Sequence, residues 1–402
     1  MSKGFFTGAS LHQSRQPEST IAQCGACGLY RSCQSPKMPV YGEGRRKILI
    51  VGEAPGRQED AEGIPFVGES GSILENALTS IDPEFDLDVD TWRTNAIICR
   101  PSKNRTPTDK EVGYCRPNVL RAIRELQPNV IILLGGSALR SVVGHLWKTS
   151  PGSISQWVGK RIPSRRFNAW VCPTYHPAYL ARDERNVGLR LWFERHLEEA
   201  LKLVGKPYWG EIKSHNVRQV YDVDEAIDLI ERVIVSGQLT AFDYETNMLK
   251  PDSKQAEIIS CAICWQGKRT FAFPWHARIQ EAMKRYLLSD VPKIAANAKF
   301  EDRWSKAILG VHVNKIVWDT MQAAHVLDNR EGICSVKYQS FVRLGVDLYN
   351  EEIEPFLESS GSNEPNRIKE IPIADLLHYN GLDAIYEYEI AMDQLQEMGI
   401  TL

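Results

Sequence analysis

No stretch of this chain is apolar for long enough to cross a bilayer as a helix, which argues against a helical membrane protein. Residues 1–20, MSKGFFTGASLHQSRQPEST, lack the compact apolar core of an export signal and read as a flexible polar lead. Internal repeats and low-complexity tracts are missing too, so solenoids and fibrous arrays are excluded. The nine cysteines are odd in number and unevenly spread, six before residue 173 and three after residue 260. Without an export signal a disulfide framework is not expected, and metal binding is. These absences point to a cytoplasmic protein that is not secreted.

What is present is a globular composition, 43% hydrophobic, over 402 residues, more than one ordinary core can organise. The net charge of −3 conceals an asymmetry. Lys plus Arg against Asp plus Glu is 29 to 22 over residues 1–215, a balance of +7, and 19 to 29 over 216–402, a balance of −10. A basic half suits a phosphate-backbone partner. An acidic half suits one only if some carboxylates hold metal ions.

Strand and helix patterns alternate in both halves. The first, read as a domain over 21–205, predicts strands at 47–52, 93–98, 129–134 and 169–173, with helices near 70–80, 110–127, 136–145 and 188–204. Such alternation implies a parallel sheet covered by helices. Residues 206–217, rich in glycine, proline and polar side chains, form a linker. The second domain, 218–402, predicts a helix at 224–235, strands at 238–245, 257–265 and 269–274, and helices near 277–288, 299–308, 318–328 and 373–398. The segment 358–366, ESSGSNEPN, reads as a turn or mobile loop.

In the first half, the apolar run Lys47–Val51 breaks into Gly52-Glu53-Ala54-Pro55-Gly56, a turn that leaves one carboxylate exposed. Pro65-Phe66-Val67-Gly68 then holds an aromatic between turn-formers. A strand end with a carboxylate and a pinned aromatic can build a pocket for a flat ring. Cys24-x2-Cys27, Cys99 and Cys115 are two close thiols and two distant ones, a set that suits zinc or an iron–sulfur cluster. Spacing does not choose between these, and Cys33 is a fifth candidate. Buried free cysteines are the plain alternative.

The motifs CGAC, GEAPGRQED, GIPFVG, TNAIICRPSKNRTP with the following Cys115, and YHPAYL, in this order over residues 20–200, resemble the family 4 uracil-DNA glycosylases. The resemblance implies a three-layer α/β/α domain with a [4Fe–4S] cluster on Cys24, Cys27, Cys99 and Cys115, leaving Cys33 out. It implies a uracil site at Gly52, Phe66, Asn95 and His176. Reading a base requires taking it out of the stack. Phe66 offers a stacking face, and the Asn95 amide matches the uracil O4 and N3–H, a polarity that cytosine inverts. Glu53 is suited to positioning a water or stabilising positive charge on the sugar, and His176 to donating to O2 as the base leaves. Arg100, Lys103, Asn104 and Arg105 suit backbone phosphates. Two positions depart from the family, Ile98, where lysine is frequent, and Ala181, where leucine is usual.

In the second half Asp243-x-Glu245 closes an apolar strand with both carboxylates on one face. Glu301-Asp302 opens a helix, and Tyr379-x3-Asp383 shares a face of the last one. Carboxylates from three remote segments can hold two Mg²⁺ or Mn²⁺ ions for phosphodiester hydrolysis. With Trp318-Asp319-Thr320 and Leu382-Asp383-Ala384, residues 238–396 resemble the DEDDy 3′–5′ exonucleases, particularly the proofreading domain of family A DNA polymerases. That resemblance implies an RNase H-like fold, metal ligands at Asp243, Glu245 and Asp383, and Tyr379 orienting the attacking water. The family usually has aspartate straight after the phenylalanine; here Glu301 holds that place and Asp302 is the alternative ligand. Cys261-x2-Cys264 lies in a strand pattern and reads as packing.

The expectation is therefore a two-activity enzyme, uracil excision followed by 3′–5′ exonuclease on uracil-containing DNA and on single-stranded or frayed 3′ ends. The rival is an exonuclease subunit whose glycosylase-like domain only grips DNA or a polymerase. A polymerase on a separate polypeptide is the expected partner, or the chain is a stand-alone nuclease. A phage replication protein in the cytoplasm of a bacterial host fits either reading.

Overall fold

The computed structural model describes residues 24–206 and 215–402 apart from 149, 184, 268, 362 and 363. The lead expected over 1–20 and most of the linker expected over 206–217 lie outside the described residues. The chain divides into two compact units, Met1–Gly210 and Glu211–Leu402.

The first unit is built on a five-stranded sheet with strands β1 (Ile48–Gly52), β2 (Thr91–Asn95), β3 (Val130–Leu134), β4 (Ile162–Ser164) and β5 (Ala169–Thr174), ordered β2-β1-β3-β5-β4. All pairings are parallel except that of β4 with β5. β1 and β3 are apolar without alternation because both faces are covered. Ile48, Ile50, Val130 and Ile132 pack with Leu74 and Leu78 of the helix Glu69–Ile81 and with Phe193 and Leu197 of the helix Val187–Leu201. The intervening Leu49, Val51, Ile131 and Leu133 are equally buried on the opposite face, the side of the helices Asp109–Leu126 and Gly135–Leu146. The expected α/β/α layering is what forms. The strand expected over 93–98 ends at Asn95, and the edge strand β4 was not expected, since three residues carry no readable period.

The second unit has a six-stranded sheet ordered β11-β10-β7-β8-β9-β6, from β6 (Val217–Gln219), β7 (Thr240–Thr246), β8 (Ile258–Trp265), β9 (Arg269–Pro274), β10 (Lys293–Ala295) and β11 (Ile316–Asp319). β7, β8 and β9 form an antiparallel meander, and β10 runs parallel to both β7 and β11. The helix Ile373–Met398 lies across this sheet and buries Leu377, Leu382, Ile385 and Ile390 against Ala241, Ala262 and Ala272. The helix expected over 318–328 begins instead as β11 and turns helical at Thr320–Leu327. Asp319 makes the switch: its carboxylate accepts from Met321 N at 2.9 Å and Gln322 N at 3.1 Å, capping the helix from outside.

Candidate functional sites

Parallel register sets Asn95 opposite Gly52, so β1 and β2 end side by side. Open α/β sheets leave a crevice at the carboxyl ends of their strands. Here a cavity of about 370 Å³ is lined by Glu53, Phe66, Asn95, Asn104, Arg105 and His176. Glu53, Phe66, Asn95 and His176, the candidates for the base site in the sequence, are thus brought to one cavity, with Asn104 and Arg105 of the basic segment beside them. Gly52 makes the junction possible: an added Cβ would lie 2.4 Å from Asn95 Oδ1 and 2.5 Å from Phe66 Cζ. Phe66 itself sits at φ 64°, a left-handed conformation uncommon for an aromatic and held at a cost of roughly 1–3 kcal/mol.

His176 caps the helix Pro177–Arg182, its Nδ1 accepting from Ala178 N at 3.1 Å. The neutral ring therefore carries its proton on Nε2. Burial, with Arg182 adding to it, pushes the imidazole down to about 4, so it is neutral at pH 7 and a donor. Glu53 is held by Ser137, whose Oγ donates to Oε2 at 2.9 Å, and Arg140 Nη2 donates in turn to Ser137 Oγ at 3.2 Å. Ser137 and Arg140 escaped the sequence reading, because a serine in a helix start looks like a cap.

The basic segment is less free than its composition suggests. Arg105 forks onto both oxygens of Glu111 at 2.6 and 2.9 Å, and Glu111 is held down to about 2 chiefly by that contact. Arg100 donates to Asn104 at 2.7 Å and lies 3.7 Å from Asp60, while Lys103 is exposed.

Cys24, Cys27, Cys99 and Cys115 line one small cavity together with Lys37, Ile98 and Asn118. Lys37 N donates to Cys99 Sγ at 3.2 Å, and Cys115 Sγ accepts from Ile98 N at 3.4 Å and from Asn118 Nδ2 at 3.6 Å. Burial pushes the thiols of Cys99 and Cys115 up to about 12, so ionised sulfur here requires a cationic group to hold. Among the described residues, the one set of three or more ligands drawn within 4.8 Å of one another is carboxylate, and the thiols are spread wider. Thiolates on a single zinc, at Zn–S of about 2.3 Å, would sit closer than that. Four thiols spread wider than one zinc needs are instead the donor set that suits a multinuclear cluster. Cys33 neighbours Cys99 but does not line the cavity.

In the second unit Asp243, Glu245 and Asp383 bring ligand oxygens within 4.8 Å of one another. β7 supplies the first two and the last helix the third. Glu301 is 1% exposed, with Oε2 lacking any hydrogen-bond partner among the described residues. Burial and then Asp243 push it well above the usual carboxylate range. Asp302 is otherwise engaged: it accepts from Val313 N at 2.8 Å and contacts His312 Nδ1 at 2.9 Å. Tyr379 is buried beside Asp383, and burial raises its phenol, so it is a hydroxyl at neutral pH. Cys261 and Cys264 are buried in the apolar clusters on opposite faces of β8. Sequence reasoning missed Asn380, Lys337, Tyr349 and Glu387. Asn380 Nδ2 donates to Asp243 Oδ2 at 2.7 Å while its Oδ1 accepts from Ser260 Oγ at 2.9 Å, which fixes the first aspartate. Lys337 and Tyr349 donate to the two oxygens of Asp383. Such packed-in polar partners lack a motif and show only in three dimensions.

Residues 39–202 match the Uracil DNA glycosylase superfamily, and residues 217–399 match the 3′–5′ exonuclease family. A type-4 uracil-DNA glycosylase of Archaeoglobus fulgidus is 34% identical over 188 residues, 46% of this chain and 90% of that protein. A DNA polymerase of Bacillus phage SP01 is 27% identical over 333 residues, 74% of this chain but 34% of the polymerase; an alignment that long necessarily crosses both units. Among solved structures, Escherichia coli RNase D is similar at TM-score 0.36 and 14% identity, covering 46% of this chain and 45% of that one. The chain spans about half the length of the first solved structures it matches. No helix among the described residues is long and apolar enough to cross a membrane. By its first unit the chain belongs to the type-4 uracil-DNA glycosylase family, and its second unit is a 3′–5′ exonuclease domain.

Proposed function

We propose that this chain is a DNA-processing enzyme with two activities: uracil excision by the first unit and metal-dependent removal of nucleotides from 3′ ends by the second. The observation that carries the reading is the convergence of Asp243, Glu245 and Asp383 from two remote elements within 4.8 Å, beside Tyr379. Asp243, Glu245, Glu301 and Asp383 would hold two Mg²⁺ or Mn²⁺ ions; when bound, these stabilise charge on the attacking and leaving oxygens of the phosphodiester. Tyr379 donates a hydrogen bond that orients the water. Glu301 is the fourth ligand in this reading, because Asp302 is spent on Val313 and His312.

In the first unit the flipped uracil stacks on Phe66. Asn95 donates to O4 and accepts from N3–H, which rejects cytosine by presenting it with two mismatched dipoles. Nε2–H of His176 donates to O2, where negative charge collects as the glycosidic bond breaks. Glu53, steadied by Ser137, faces the positive charge on the sugar. Lys103, Arg100, Asn104 and Arg105 follow the backbone phosphates, Arg105 through whatever fork is left by Glu111.

Cys24, Cys27, Cys99 and Cys115 would hold a [4Fe–4S] cluster in this reading, and through it would tie the N-terminal turn to the segment after Asn95 in a structural role. Cys99→Ser is expected to lose iron and the broad absorbance in the blue, while Cys33→Ser keeps both. Stoichiometric zinc without iron in the wild-type protein would overturn the cluster.

The test of the whole reading is end-labelled, uracil-containing DNA incubated with Mg²⁺ and, separately, with chelator. Shortening from the 3′ end should need Mg²⁺, and free uracil should appear in both, since no pocket residue depends on an exchangeable metal. Cluster-loaded protein that releases no uracil would leave the first unit as a DNA grip, and the exonuclease as the sole catalyst. The phage polymerase match makes a proofreading role beside a polymerase the setting we favour.

A further inference from the structure

Four ligand carboxylates and two divalent cations cancel, four negative charges against four positive. This centre contains two further ionisable side chains, one basic and one acidic. Lys337, on the short helix Val336–Gln339, places Nζ 2.6 Å from Asp383 Oδ2, and the Tyr349 hydroxyl donates to Asp383 Oδ1. Both oxygens of that carboxylate thus have donors. The ammonium also lies over the rings of Tyr379, at 4.7 Å from the centroid, and Tyr349, at 5.7 Å. One turn beyond Asp383, on the same face of the last helix, is Glu387. It is 1% exposed, and its Oε2 has no hydrogen-bond partner among the described residues. Its electrostatic neighbours are Asp243, Glu301, Asp383 and Lys337. A buried carboxylate oxygen left without a partner is unfavourable in every state of the site unless some state fills it.

We propose that Lys337 is the resident cation of the exonuclease centre: it holds Asp383 while divalent ions are absent and passes to the unpartnered oxygen of Glu387 when they bind. The inference rests on the reading of the second unit as a metal-dependent exonuclease. Lysine suits the task because its charge is compact and its four-carbon stem has rotatable bonds. A divalent ion on Asp383 repels the ammonium and attracts the carboxylate that ammonium now shields, so the two cations compete for one ligand. Glu387 gives the displaced charge a place that remains buried. Lys337 and Glu387 are positioning residues, acting through Asp383 on the ions and not on the substrate.

The test is Mn²⁺ binding to the full-length, cluster-loaded protein without DNA, read by titration calorimetry and by the resonance of free Mn²⁺. Lys337→Met should tighten binding about tenfold, within the ordinary range of coupling between two bound groups. Lys337→Arg, which keeps the charge, should stay near wild type. Glu387→Gln should weaken binding several-fold in the wild-type background and leave Lys337→Met unchanged, because Glu387 acts through the lysine. Unchanged or weaker binding by a folded Lys337→Met, as judged by thermal melting, overturns the proposal. So does an equal effect of Glu387→Gln in both backgrounds. If Asp243→Ala binds Mn²⁺ like the wild type, the exonuclease reading itself fails, whatever Lys337 does.

Discussion

Asp243→Ala is expected to lower shortening of DNA from the 3′ end by about a thousandfold or more, since several kcal/mol of charge stabilisation depends on the ions this carboxylate helps to hold. Uracil release should continue at the wild-type rate, because Glu53, Phe66, Asn95 and His176 all belong to the other compact unit. Asp243→Asn is the companion that keeps the shape of the side chain. Its amide oxygen can still accept from Asn380, which donates to Asp243 Oδ2 at 2.7 Å in the wild type. Without ions, burial and the charge of Asp383 oppose ionisation of Asp243, pushing it above the usual carboxylate range. A neutral amide there removes the cost of protonating a buried carboxyl at neutral pH, so it should raise the melting temperature of metal-free protein by a few degrees while abolishing the nuclease, the pattern of a site kept at the expense of stability. Thermal melts with and without Mg²⁺ beside a gel assay would show it. Wild-type DNA degradation by Asp243→Ala would mean that the second unit is not assigned correctly.

Gly52→Ala should reduce uracil excision roughly a hundredfold, the loss that about 1 Å of misplacement brings in an oriented site. Its backbone is not left-handed, so alanine itself is not strained there. The conflict is lateral. The new methyl would stand 2.4 Å from Asn95 Oδ1 and 2.5 Å from Phe66 Cζ, and neither group can retreat easily. Asn95 is buried at a strand end, and the backbone oxygen of Phe66 is pinned against Gly71, where an added Cβ would meet it at 1.9 Å. Iron content and exonuclease rate should stay at wild-type levels, which separates displacement in the pocket from unfolding. Excision by Gly52→Ala at the wild-type rate would remove the amide and the ring from the uracil site.

The sequence by itself determined the order of the two units, most of their strands and helices, and nearly all the residues that converge. Continuous apolar runs such as Ile48–Val51 and Val130–Leu134 announce buried parallel strands, and Asp243-x-Glu245 fixes a shared face by period alone. Paired motifs in fixed order did the rest. Short elements were hidden, because β4, β6 and β10 have three residues each and no period can be read from so few. Only the tertiary structure decided which carboxylate after Phe300 turns inward. Adjacent helical residues point about 100° apart, and the packing sends Glu301 towards the acidic centre and Asp302 towards Val313. Only it showed that Arg105 is already paired with Glu111, that Ser137 steadies Glu53, and that Lys337 lies on Asp383 across 46 residues of chain. Contacts of that kind depend on distances set by the whole fold, which no local spacing encodes.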